Sequence, residues 1–179
     1  MKYILRPLCL FVLLLSACTN NSENQTAVQA AQFKSTTSYF SDSTKMDTFK
    51  VELTGVKAKE MLLIFRINSF KGKEIFRKVF KASALINNYK ETVDLRKENE
   101  QREFMNKEFN LFLDEENFLW PALMPDERPD HNAKDLVFFK ELQNSQLNGF
   151  KYRLGKESKA YIAWSEKEQK VKIYYECCS

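Results

Sequence analysis

The sequence predicts an α+β domain built on an antiparallel sheet, and three observations predict it. Segments in both the first and the last third alternate apolar and polar residues with the period of a half-buried strand. The stretch between them carries a helical stripe. The four glycines, Gly55, Gly72, Gly149 and Gly155, all fall at the boundaries of these segments. About five to seven strands are expected, arranged as an N-terminal hairpin and a C-terminal meander, with one or two helices inserted around 83–115.

Taken in order, "TFKVELTG" opens the domain. Phe49, Val51 and Leu53 alternate with Lys50, Glu52 and Thr54. "MLLIFRINSF" (61–70) is more continuously apolar and suits a central strand, and "KGK" (71–73) turns the chain at Gly72. "EIFRKVFK" (74–81) then returns antiparallel. Residues 83–118 hold no Gly or Pro and few β-branched residues. Met105, Phe109, Phe112 and Leu113 recur at i, i+4, i+7 and i+8, an amphipathic helix stripe strongest from Lys97 to Leu113. A shorter helix is expected to begin near Ser83, with that side chain as its cap. The last third reads as three strands: "FKYRL", "KAYIAW" and "KVKIYYEC". In the third, Val171, Ile173, Tyr175 and Cys177 are expected on one face, and Lys170, Lys172, Tyr174, Glu176 and Cys178 on the other.

One segment breaks this pattern. "LWPALMPDERPDHNAKD" (119–135) holds Pro121, Pro125 and Pro129, the only histidine, His131, and the acids Asp126, Glu127, Asp130 and Asp135. A connection this long without evident secondary structure is more often functional than incidental. Trp120 and Met124, with Phe118 and Leu123, stand beside it. Exposed, they form an adhesive patch for a protein, glycan or lipid partner; buried, they plug the end of the core. Trp120, Met124, Asp126, Asp130, His131 and Asp135 are therefore the candidate binding residues. Asp130 and Asp135 could offer hard oxygens to a cation, but the stretch does not fit an EF-hand, and zinc would want more than one His or Cys. No metal site is expected.

The chain begins "MKYILRPLCLFVLLLSACTN". Lys2 and Arg6 form a basic start, and Leu8–Leu15 is an apolar run too short to span a bilayer of about 30 Å. "LSAC" (Leu15, Ser16, Ala17, Cys18) resembles the lipobox of bacterial lipoproteins. That resemblance implies a signal peptide over 1–17, lipid on the Cys18 thiol and acylation of the new amino terminus. It covers only the first twenty or so residues. Thr19, where an Asp would signal inner-membrane retention in enterobacterial lipoproteins, implies the outer membrane, and "TNNSEN" carries too little acid to suggest export to the surface. A position facing the periplasm is expected. Several acyl chains would make a permanent anchor, since each buried methylene contributes about 0.8 kcal/mol. Residues 18–46 are read as the lipidated N-terminus and a flexible tether, with Tyr39 and Phe40 docking as an edge segment, and residues 47–179 as a single domain.

Removing residues 1–17 from 179 leaves 162, enough for one core. The formal charge of +4 falls by two as Lys2 and Arg6 leave. Secretion and this near balance argue against nucleic acid as a partner. Cys9 leaves with the signal and Cys18 takes the lipid, so Cys177 and Cys178 remain without another intramolecular partner. Neighbouring Cα atoms stand about 3.8 Å apart, below the usual disulfide range, and a strand turns adjacent side chains to opposite faces. The pair reads as a strand end, with Cys177 a small filler on the core face; a vicinal or intermolecular disulfide is the competing reading.

Catalysis has little to stand on: the chain has no G-x-S-x-G, Walker A loop, H-E-x-x-H or G-x-G-x-x-G. No catalytic residue, metal or cofactor is assigned. The expectation is a membrane-anchored lipoprotein with a non-enzymatic binding or accessory role through 118–135. The alternatives are a carrier of an apolar ligand within a Phe-rich curved sheet and, further off, a periplasmic hydrolase using His131.

Overall fold

A computed structural model describes residues 31–89 and 94–177. Among these residues the fold is α+β: two four-stranded antiparallel sheets and three helices. The first sheet takes its strands in chain order, β1 (Gln32–Tyr39), β2 (Met46–Thr54), β3 (Leu62–Asn68) and β4 (Glu74–Lys81). The second does the same with β5 (Phe118–Leu119), β6 (Gly149–Arg153), β7 (Lys159–Ser165) and β8 (Lys170–Cys177). Between the sheets in sequence lie α1 (Ala82–Tyr89) and α2 (Glu98–Leu111); α3 (Leu136–Ser145) precedes β6.

The two sheets face each other across a layer of aromatic rings. The alternation read from β2 and β3 puts Phe49, Val51, Leu53, Leu63, Phe65 and Ile67 on the inner face, all buried. Phe150 and Tyr152 of β6, with Ala160, Ile162 and Trp164 of β7, meet them. Phe65 is the hub. Its ring lies 5.0 Å from Phe150, 5.0 Å from Phe112, 5.6 Å from Phe76 and 6.1 Å from Phe49, all within the range of favourable aromatic pairs. The helical stripe is observed. Met105 and Phe109 are buried on α2, and Phe112 packs on the same core as the helix ends. The Glu100 carboxylate accepts the Lys97 N–H at 3.1 Å to start α2. The shorter helix begins at Ala82, which places Ser83 inside the first turn rather than at the cap.

Two further expectations are corrected, and one helix is added. The tether was expected to reach Met46, but Gln32–Tyr39 is a full strand paired residue for residue with β2. Its polar residues Gln32, Lys34, Thr36 and Ser38 occupy the inward positions, where Gln32 and Lys34 bond Asn106 Oδ1 and the Asn110 carbonyl of α2. A strand with polar residues inward has no apolar alternation to read. On β8, Tyr161 pairs with Tyr175 but Ile162 pairs with Ile173, so the strand bulges at Tyr174. The bulge reverses the faces beyond it. Cys177 pairs with Lys159 on the face of Tyr161, away from the inter-sheet core, and is half-buried there. Finally, α3 was not anticipated. Cys18, Cys178 and residues 1–30 lie outside the described residues.

Candidate functional site

The outer face of the second sheet carries a layer of its own. Tyr161 and Ala163 of β7, with Tyr174 and Tyr175 of β8, are covered by Phe138, Phe139 and Leu142 of α3 and by Ala122, Leu123 and Ala133 of the loop. The Pro-rich segment is thus a fixed part of the structure, and local chemistry explains each attachment.

After β5 the chain passes a cis Trp120–Pro121 bond. The Ala122 N–H donates to Leu147 O at 2.9 Å, and the Ala122 carbonyl accepts from the buried Tyr174 hydroxyl at 2.8 Å. Burial pushes that phenol far above its ordinary value, so it stays a donor. Gly149 permits this approach. A Cβ there would stand 3.0 Å from the Ala122 Cβ, so the glycine serves close packing at the start of β6. Further on, the Gln143 amide of α3 donates to Pro125 O at 3.1 Å and to Glu127 O at 2.8 Å.

Asp130 and Asp135 hold the far end. Asp130 accepts from the Tyr175 hydroxyl at 2.8 Å, the Asn132 N–H at 2.8 Å and the Asn132 amide at 3.2 Å. The Tyr175 bond, seconded by Asn132, holds its carboxyl below the usual range. Asp135 caps α3 by accepting from Phe138 N–H at 2.9 Å, while its other oxygen takes the Lys172 ammonium at 2.7 Å. The Lys172 bond lowers its carboxyl as well. The same ammonium lies 4.8 Å from the Phe138 ring centroid and pairs with Glu168. Both acids weighed as possible cation ligands are therefore engaged in fixing the loop, and at Asp135 the Lys172 ammonium occupies the position a cation would take. Among the described residues no group of three His, Cys, Asp or Glu side chains is placed to share an ion.

The remaining candidates face water. Trp120 is 57% exposed and Met124 55%, whereas Ala122 and Leu123 between them are buried. Asp126 and His131 are exposed on the same loop. Trp120 stacks on Phe118 at 6.3 Å between ring centroids, with the planes 18° apart. It lines a shallow groove with Thr36, Thr37 and Ser38 of β1 and Leu113. Sequence reasoning missed Leu136 and Val137, 59% and 69% exposed in the first turn of α3. The signal was present: an Asp N-cap directly before "LVFFKEL" marks a helix start.

A second polar cluster lies where α2 meets β6. Glu108, raised by burial, faces Arg153, which pairs with Glu116 at 3.8 Å. The pocket that these residues share with Leu63, Phe80, Phe112 and Tyr152 holds about 20 Å³, room for one water. No protein-family model matches the chain, and comparison with curated proteins and with solved structures finds no match.

Proposed function

We propose that this chain is a lipid-anchored binding module of the outer membrane, facing the periplasm, which holds a protein partner through the surface around Trp120 and Met124. One observation carries the reading. Two large apolar side chains stand more than half in solvent while their neighbours Ala122 and Leu123 are clamped beneath them. An exposed aromatic on a rigid support loses little freedom on binding, which is the property of an interface anchor. The signal segment and Cys18 support the address; the absence of catalytic motifs supports a non-enzymatic role.

Carriage of an apolar ligand has less behind it. Rings of Phe49, Phe65, Phe118 and Phe150 fill the inter-sheet space, with neighbouring centroids 4.9–6.1 Å apart. A hydrolytic role for His131 also gains little, since that side chain is exposed on the loop.

The test is co-purification from native membranes with the paired variant Trp120→Ala/Met124→Ala. A protein captured by the parent chain should be lost, while the melting temperature stays within about 2 °C, as for exposed substitutions. Unchanged capture would refute the surface. Intact mass checks the anchor: a lipid increment that disappears in Cys18→Ser is expected, and a parent mass without lipid would remove the membrane part of the proposal.

A further inference from the structure

Two sheets of four strands have four edges, and the chain treats them differently. Edge strands invite pairing with other chains, and proteins blunt them with charges, proline, bulges, short length or cover. β4, "EIFRKVFK", carries Glu74, Arg77, Lys78 and Lys81, and its pairing with β3 is irregular near Asn68. β8 carries Lys170, Lys172 and Glu176, bulges at Tyr174 and runs beside β4. β5 is two residues long and stops before Pro121. Each of these three edges has at least one protecting device.

β1 has almost none. "QFKSTTSY" is eight residues long, without Pro or Gly, and pairs with β2 in unbroken register. Its single charge, Lys34, is drawn inward to the Asn110 carbonyl. Thr, Tyr and Phe favour extended backbone. Among the described residues β1 pairs with β2 alone; on its other side the Asn148 amide reaches Tyr39 O at 2.9 Å at the end of the strand, and Leu113, Glu115, Phe118 and Trp120 line a shallow groove with Thr36, Thr37 and Ser38 without adding a strand. The outward positions hold Phe33, 69% exposed, and Tyr39, 39% exposed, with Ser35 and Thr37 between them.

We propose that β1 pairs antiparallel with β1 of a second copy, joining the two first sheets into one of eight strands. The strand is complementary to itself. A two-fold axis normal to the sheet keeps both outer faces on one side, which pairs odd positions with odd. Centred on Ser35, Phe33 meets Thr37 of the second copy with Tyr39 on the diagonal; centred on Thr36, Phe33 meets Tyr39 directly. Aromatic cross-strand pairs of this kind stabilise sheets. In both registers Lys34 faces a hydroxyl, Thr36 or Ser38, so no like charges oppose each other. An isologous contact closes on itself and stops at two copies.

The full chain in its membranes provides the test. Ser35→Cys and Thr36→Cys each put a thiol on the axis of one register. Mild oxidation should trap a disulfide dimer from one of them at several times the yield of the parent chain, whose native cysteines set the background. Lys50→Cys, one strand inboard, should remain at that background. Independently, light scattering of the detergent-extracted parent at about 100 μM, where a micromolar dimer is largely formed, should give twice the single-chain mass. Ser35→Lys/Thr37→Lys opposes lysines in either register, and should halve that mass with the circular dichroism spectrum unchanged. A single-chain mass for the parent overturns the proposal, as does background trapping from both cysteine variants. A cross-link to a different protein in place of the dimer also overturns it, and would make this edge a receptor for a foreign strand.

Discussion

Asp47→Ala should be among the most damaging single polar changes in the domain. Asp47 is fully buried, and its two oxygens do separate work: Oδ2 accepts the Ser41 N–H at 2.6 Å and Oδ1 accepts the Phe70 N–H at 2.8 Å. It thereby fastens the β1–β2 turn to the β3–β4 turn, and with it Phe40, whose ring packs edge-on against Phe49 at 5.4 Å. Alanine strands two backbone donors, at about 1–3 kcal/mol each, while relieving the cost of holding a carboxylate out of water. The net loss should be about 2–4 kcal/mol, or about 5–15 °C in melting temperature for a domain of this size. Asparagine tests the geometry. It has one acceptor oxygen, so it satisfies one N–H and presents its own donor to the other, and it should lose at least half as much as alanine. Thermal unfolding followed by circular dichroism measures both. An Asp47→Ala shift below about 2 °C, or an Asp47→Asn protein as stable as the parent, would refute the two-donor reasoning.

Three further outcomes are expected. Phe65→Ala removes the hub of the aromatic layer and should cost about 3–5 kcal/mol in denaturant unfolding, more than loss of any half-buried phenylalanine at the periphery. Tyr174→Phe deletes the bond to Ala122 O and should cost about 1 kcal/mol, with hydrogen exchange rising first around residues 119–127. Acid should loosen the loop: Asp130 and Asp135 both sit below their ordinary value of 3.8 in the fold. Carboxyls depressed by folding stabilise fully above that value, and the contribution is lost as pH falls through their folded values. Melting temperature measured from about pH 6 to about pH 2 should therefore fall less steeply in Asp130→Asn/Asp135→Asn than in the parent.

What was legible in the sequence follows from where the physics is local. β2, β3 and β4 could be placed because side-chain alternation and the Gly72 turn are properties of a few consecutive residues, and Gly72 does take a positive φ of 80°. The α2 stripe was equally plain. β1 was not, because its inward residues are polar and Gln32 and Lys34 among them meet Asn106 and Asn110 of α2, an arrangement set by residues more than seventy positions away. The faces of β8 failed at one extra residue. Alternation is a count, and a bulge at Tyr174 changes it without leaving a mark in composition. The loop was found by its composition, but the roles of its acids were not: Asp130 and Asp135 read in sequence as members of a solvated binding loop and are fasteners in space, because Tyr175 and Lys172 arrive from the last strand.

The same long-range placement explains why the exposed residues of the loop carry more weight than their number suggests. A loop of this composition could have folded its one Trp inward. Instead four separate attachments, at Ala122, Pro125–Glu127, Asp130 and Asp135, hold the backbone while Trp120 and Met124 stay in solvent. On the opposite sheet the pattern is parallel: β1 turns Gln32, Lys34, Thr36 and Ser38 inward and leaves Phe33 outside, beside an edge that lacks the charges and breaks protecting the others. Apolar surface kept in water is stability forgone at both places, and contact with another chain would recover it. The two surfaces make separate demands: the loop asks for a complementary pocket and the strand for a complementary edge. They also adjoin, since Trp120 lines the groove beside Thr36, Thr37 and Ser38, so a second copy on the β1 edge lies next to the loop surface.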